Sequence, residues 1–332
     1  MNMRKALSII SLVLVIALVI TGVVIGITKR EEYNYVFTAM NNAIQAIKDG
    51  TWTEVEPGGF GDFAGATEEE SEAPDIEFVA GTYGGVEFKS PEDVVNYYNT
   101  VYNATKAETA EYIAQDGGRP VFYALVGTES LELKPNSLLV DGKANNLING
   151  MVPGILGGVF KGNIVGLPPS ANRDPNQDID ENGEPMLTSR VTPEDVINCA
   201  VQDNNDGTIT LTLVPDTVNL SHKGLDAQGH FFNSLGALDS AVESIGVISW
   251  AQGTTQDNVI ARYKDGSAEV KVDVASGKIV EAYYHMIVKV DVTHATLAGV
   301  VKDKSASLTL YYDNRFPASD EDLMNVRQLT RT

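Results

Sequence analysis

The sequence predicts an α+β protein: a long antiparallel, meandering sheet with helices packed on one face, preceded by an N-terminal transmembrane helix. Three observations carry this expectation. Residues 6–27 hold no charged side chain. The last third of the chain alternates apolar and polar residues with period two, the pattern of half-buried strands. Ser-Pro-Glu-Asp at 90–93 and Thr-Pro-Glu-Asp at 192–195 carry the capping chemistry that opens helices.

The apolar run at 6–27 is 22 residues long. At about 1.5 Å per residue it reaches about 33 Å, enough for a hydrocarbon core of roughly 30 Å. Arg4 and Lys5 precede it; Lys29 and Arg30 follow it, so flanking charge does not set its orientation. Its position does: one apolar run at the N-terminus behind a basic pentapeptide is the pattern of a signal anchor. The expected location is therefore the cell membrane, single-pass through residues 6–27, with the bulk of the chain extracytoplasmic. A cleaved secretory signal is the alternative, with Val24-Ile25-Gly26 as its cleavage site.

A chain of 332 residues is long enough for two units. The expected division is a signal anchor over 1–30, a juxtamembrane helix over 31–50, an acidic flexible linker over 51–89, an extracytoplasmic α+β domain over 90–317 and a tail over 318–332. Tyr33, Val36, Met40, Ile44 and Ile47 give the juxtamembrane helix its period. Residues 51–88 hold ten acidic residues and no Lys or Arg, and Pro57-Gly58-Gly59 and Gly84-Gly85 break any periodicity.

Ser90 to Asp93 opens a helix whose apolar face is Val94, Tyr97, Tyr98, Val101 and Tyr102. Residues 144–160 read as a glycine-rich apolar helix: Leu147, Ile148, Met151, Val152, Ile155, Leu156, Val159 and Phe160 pair four apart, while Gly150, Gly154 and Gly158 line another side. No charge falls between Lys143 and Lys161. Such a helix is costly in water, so it lies under the sheet as core or lines an apolar cavity. In the second case Met151, Ile155, Val159 and Phe160 are the ligand contacts. Residues 166–184 form a polar loop. Strands at 196–201 and 208–214 flank the turn Asp203-Asn-Asn-Asp-Gly207, and strands at 258–263 and 268–274 flank a second hairpin turn at Lys264-Asp265-Gly266. A short helix spans 235–245. The long strands follow: Tyr284, Met286, Val288, Val290 and Val292 share one face, as do Ala306, Leu308, Leu310 and Tyr312.

Several chemistries are excluded or weak. Lys plus Arg is 24 against 45 Asp plus Glu, a formal charge of −21, which argues against nucleic acid as a partner. The single cysteine rules out an intrachain disulfide and a Cys-based zinc cage. Cys199 has no basic neighbour and reads as a small buried residue. Residues 178–184 match the first half of a calcium loop, but Ser189 stands where the closing Glu belongs; a solvated turn is the simpler reading. His222, His230, His285 and His294 lack zinc spacing and read as surface or cap residues. No nucleophile elbow, phosphate loop or dinucleotide fingerprint occurs. No catalytic residue, metal site or cofactor is expected.

Residues 90–106, the glycine-rich stretch at 144–160, and the closing strands from Asp273-Val-Ala-Ser-Gly-Lys-Ile-Val280 through Tyr312 resemble uncharacterised membrane-anchored exported proteins of Gram-positive gut bacteria. A long antiparallel sheet on apolar helices is also remotely similar, at the level of fold, to extracytoplasmic lipid-carrier domains of the lipoprotein-carrier and tubular lipid-binding types. That resemblance implies a helix lying against a concave sheet with an apolar cavity between them. The expectation is a membrane-anchored, extracytoplasmic, non-enzymatic domain that binds a lipid or other apolar ligand between sheet and helices. A structural or adhesive surface module working through contacts with a cell-envelope protein is the alternative. A hydrolase built on scattered carboxylates is the third reading.

Overall fold

The computed structural model describes residues 73–107, 112–116, 119–123, 127–134, 137–144, 163–167, 179–233, 248–297 and 301–319. The expected transmembrane and juxtamembrane helices, most of the acidic linker, the 235–245 helix and nearly all of the C-terminal tail lie outside the described residues. Among the described residues no helix is long and apolar enough to cross a membrane.

The first elements among the described residues are a hairpin of β1 (Gly81–Tyr83) and β2 (Val86–Phe88), followed by helix α1 (Pro91–Lys106). A small separate pair, β3 (Tyr112–Asp116) and β4 (Arg119–Tyr123), follows. Short strands come next: β5 (Gly127–Leu133), β6 (Leu139–Val140), β7 (Lys143–Ala144) and β8 (Asn163–Val165). A single 3-10 turn at Pro193–Asp195 leads to the hairpin of β9 (Val196–Asp203) and β10 (Thr208–Pro215). Then come β11 (Val218–Asn219), the short helix α2 (Ala227–Phe231), β12 (Ile248–Trp250) and the one-turn helix α3 (Thr255–Asn258). The last elements among the described residues are three long strands: β13 (Val259–Asp273), β14 (Lys278–Leu297) and β15 (Val301–Phe316).

Strands β5 to β15 form one 11-stranded antiparallel sheet along the path β7-β6-β15-β14-β13-β10-β9. β5 extends it from β15 to β8, β11 pairs with β13, and β12 with β14. The expected α+β class with a long antiparallel sheet is the observed one. β14 has 20 residues, which at about 3.3 Å each spans about 66 Å.

Strands this long keep one face dry only if the side-chain alternation is corrected wherever the strand bends. The irregularity in β13 between Lys264 and Ser267 does this. Ahead of it Val259, Ala261 and Tyr263 are buried, and after it Ala268, Val270 and Val272. The extra residue flips the parity and keeps both arms on the core. The hairpin turn expected at Lys264-Asp265-Gly266 is therefore a bulge within one continuous strand. Asp265 sits at φ 52°, a conformation that suits a bulge as well as a turn, and this is why the local sequence read as a turn. A second irregularity leaves Val280 facing outward, and a third bends β14 beside His294, at φ 51°.

The helix start at Ser90 behaves as expected. Asp93 Oδ2 accepts the Ser90 amide at 3.0 Å, and the Ser90 hydroxyl accepts the Asp93 amide at 3.3 Å. α1 then lays Val94, Val95, Tyr98, Val101 and Tyr102 on the inner sheet face, each at most 1% exposed. The matching signal at Thr192 yields only one 3-10 turn, because Val196 and Ile197 leave directly into β9. The linker ends earlier than the sequence suggested. Residues 81–88 form a hairpin, Phe88 is buried, and Gly84 at φ 55° comes so close to the core that a Cβ would lie 2.9 Å from Ile209.

Candidate functional site

The expected ligand contacts Met151, Ile155, Val159 and Phe160 lie outside the described residues. Of the 144–160 stretch only Ala144 is described, and it closes strand β7 rather than opening a helix. The described inner face points to a different place.

On β15 the inward register runs Ala306, Leu308, Leu310, Tyr312 and then Asn314, the last fully buried. Across the pair with β5, Asn314 stands opposite Glu129, which is 6% exposed. Both are polar residues at positions where the alternation calls for apolar ones. The Tyr312 hydroxyl donates to Glu129 Oε2 at 2.5 Å. Burial, followed by the Glu129 charge, pushes the Tyr312 phenol well above its usual value, so it stays a donor.

α2 delivers the fourth member. Asp226 caps the helix by accepting the Gly229 amide at 2.9 Å, and its other oxygen accepts the His222 amide at 2.6 Å. Only glycine fits at 229, since a Cβ would lie 2.0 Å from the His222 carbonyl oxygen. So anchored, α2 places Phe231 and Phe232 on the sheet, with Phe232 edge-on to Tyr284 at 6.3 Å. The next residue, Asn233, directs its Nδ2 to both Glu129 Oε2 and the Tyr312 hydroxyl at 3.5 Å.

The cluster is incomplete. Asn314 Oδ1, Asn314 Nδ2 and Asn233 Oδ1 are buried with no hydrogen-bond partner among the described residues; the Asn314 amide is near enough to the Tyr312 hydroxyl to act on its phenol but does not meet hydrogen-bond geometry. A buried polar group left in this state costs about 1–3 kcal/mol. Gly127, the next inward position on β5, puts no side chain against the amide; a Cβ there would lie 3.6 Å from Asn314 Oδ1. Chemically, the arrangement offers two acceptors and one donor beside a carboxylate.

A second cluster lies on the opposite sheet face. Asp313 Oδ1 accepts the Tyr283 hydroxyl at 2.5 Å and lies 2.7 Å from His285 Nδ1. The exposed Arg315 guanidinium stacks 4.1 Å over the Tyr283 ring, and Tyr311 lies 5.5 Å from His285. Burial raises the Asp313 carboxyl, but the hydrogen bonds from His285 and Tyr283 outweigh it and hold the group below its usual range.

The remaining sequence candidates have structural roles. Each histidine sits 2.6–2.8 Å from a carboxylate: His222 with Glu181, His230 with Asp195, His285 with Asp313 and His294 with Asp303. Asp180, in the partial calcium loop, accepts the Asn182 and Glu184 amides on one oxygen and Arg190 at 2.6 Å on the other. Cys199 is buried, and burial pushes its thiol up to about 11. Among the described residues no three His, Cys, Asp or Glu side chains are grouped to hold a metal.

Glu129, Asn233, Tyr312 and Asn314 were missed by motif reasoning because no motif holds them. Their bonds span 79 to 183 positions in sequence. The available signal was parity: extending the 306–312 face by one step reaches Asn314, an amide at a core position. No family model, curated protein or solved structure matches this chain.

Proposed function

We propose that this chain is a membrane-anchored, extracytoplasmic, non-enzymatic domain that holds an apolar ligand between its sheet and its helices. One observation carries the reading: an apolar inner face closed by α1 and α2 ends in a buried, hydrogen-bond-deficient cluster at Asn314 and Asn233. Ligand pockets are mostly apolar with a few placed polar groups, and this face has that composition. The uncharged run at 6–27 supplies the anchor.

Native mass spectrometry of the full-length chain ejected from nanodiscs tests the proposal. A single lipid-sized adduct that survives the collision energy stripping the surrounding bilayer lipid is expected. Bare polypeptide under those conditions overturns it.

The adhesive reading rests on the Tyr283–His285–Tyr311–Arg315 face, since tyrosine and arginine dominate protein interfaces. Under that reading Arg315→Glu abolishes crosslinking to a cell-envelope protein in intact cells. Unchanged crosslinking removes it.

A further inference from the structure

We infer that the Glu129–Tyr312–Asn233–Asn314 cluster is the head-group end of the ligand site and takes a neutral vicinal diol, the chemistry of a glycerol or sugar head. The inference rests on the binding function proposed above and adds the ligand class.

The argument is a count of donors and acceptors. The free atoms are two acceptors, Asn233 Oδ1 and Asn314 Oδ1, and one donor, Asn314 Nδ2. A diol has two O–H groups to donate and oxygens that accept, so it completes all three. Rotating the Asn314 amide by 180° leaves the same count, and rotating Asn233 would set its oxygen against the Glu129 carboxylate, which holds its Nδ2 in place. An ammonium head has no acceptor and leaves the Asn314 donor unmet. A carboxylate or phosphate head has no proton for the two amide oxygens and meets the Glu129 side chain at close range. Like charges in a buried site repel strongly.

The surroundings favour occupation by an amphiphile. Asn314 is fully buried and Asn233 is 9% exposed, so bulk water does not satisfy them from the surface. Leu310 and Met286 share the inner face with them, the apolar surroundings that a chain attached to the head needs. Glu129 and Tyr312 hold each other at 2.5 Å and fix one wall of the site.

The test uses the full-length chain in phosphatidylcholine nanodiscs and two photoreactive probes with the same diazirine-bearing acyl chain. One probe is a monoacylglycerol; the other is the free fatty acid. Crosslinked peptides are mapped by mass spectrometry. The monoacylglycerol is expected to label peptides from β5, α2 or β15 about tenfold more than the fatty acid, the difference one net hydrogen bond makes. Asn314→Leu is expected to lower that labelling to the fatty-acid level, and Glu129→Gln to raise labelling by the fatty acid. Equal or greater labelling of the wild-type chain by the fatty acid overturns the diol assignment while the apolar site stands. So does labelling by the monoacylglycerol that Asn314→Leu leaves unchanged, the result expected if water alone fills the amides. If neither probe labels these peptides, the ligand site itself fails. The head-group comparison needs only the wild-type chain, so it does not depend on a variant folding.

Discussion

Under α1 the hydroxyls of Tyr98 and Tyr284 lie 3.0 Å apart, fully buried, and each satisfies the other. At the β5–β15 end of the same inner face, Asn314 is equally buried and both its amide atoms lack a partner among the described residues. The two places share a sheet and a depth. They differ in whether the protein completes its own hydrogen bonds. A completed pair fixes the packing of a core; an incomplete one leaves free energy for something else to gain. Under the proposed function the tyrosine pair serves stability and the asparagine cluster serves binding.

The largest effect belongs to the completed end. Tyr284→Ala removes a ring packed by Phe232 and the partner of Tyr98, and is expected to cost about 3–5 kcal/mol, read as a lower urea midpoint. Tyr98→Phe keeps the ring but strands the Tyr284 hydroxyl, for about 1–3 kcal/mol. Should Tyr98→Phe prove neutral, the hydroxyl pair is not completed in the sense argued here.

The outer face sharpens the contrast through pH. Asp313 and Asp195 both have carboxyls held below the ordinary value of 3.8, against burial, by hydrogen bonds that include His285 and His230 respectively. A depressed folded value means the stabilisation is fully present above 3.8 and is lost as pH falls through the folded value. Denaturant midpoints are therefore expected to be level with respect to these groups near pH 5 and to drop below about pH 4. His285→Ala takes away one of the bonds to Asp313 and brings its folded value nearer the unfolded one, so the loss below pH 4 should be smaller than in wild type. An acid limb identical to wild type would show that the pair contributes nothing.

The smallest effect is expected at the incomplete end. Without ligand, Asn314→Leu replaces an unsatisfied amide by an apolar group of similar size, so it should change stability by less than about 1 kcal/mol or increase it. A loss as large as that of Tyr98→Phe would mean Asn314 is structural and would erase the comparison.

Much of the fold was legible because it rests on short-range rules. The capping box at Ser90 and Asp93, the turn at 203–207 and the period-two faces of β14 and β15 are local patterns with one physical solution each. The bulge at Asp265 was not legible as such, since a positive φ beside glycine marks a turn and a bulge alike; only pairing with β14 decides. The site was still less legible. Glu129 and Tyr312 are 183 positions apart, and their meeting depends on β5 adding to the edge of β15. Asn314 alone announced itself, as an amide on an apolar register.

The most direct test of the central claim is thermal unfolding of the full-length chain in nanodiscs with and without monoacylglycerol, for wild type and Asn314→Leu. A ligand that binds only the folded state at 100 times its Kd adds about 2.7 kcal/mol. The account predicts a raised Tm for wild type and, with binding about tenfold weaker, about half that stabilisation for the variant. Equal shifts in both proteins, or no shift in either, would contradict it.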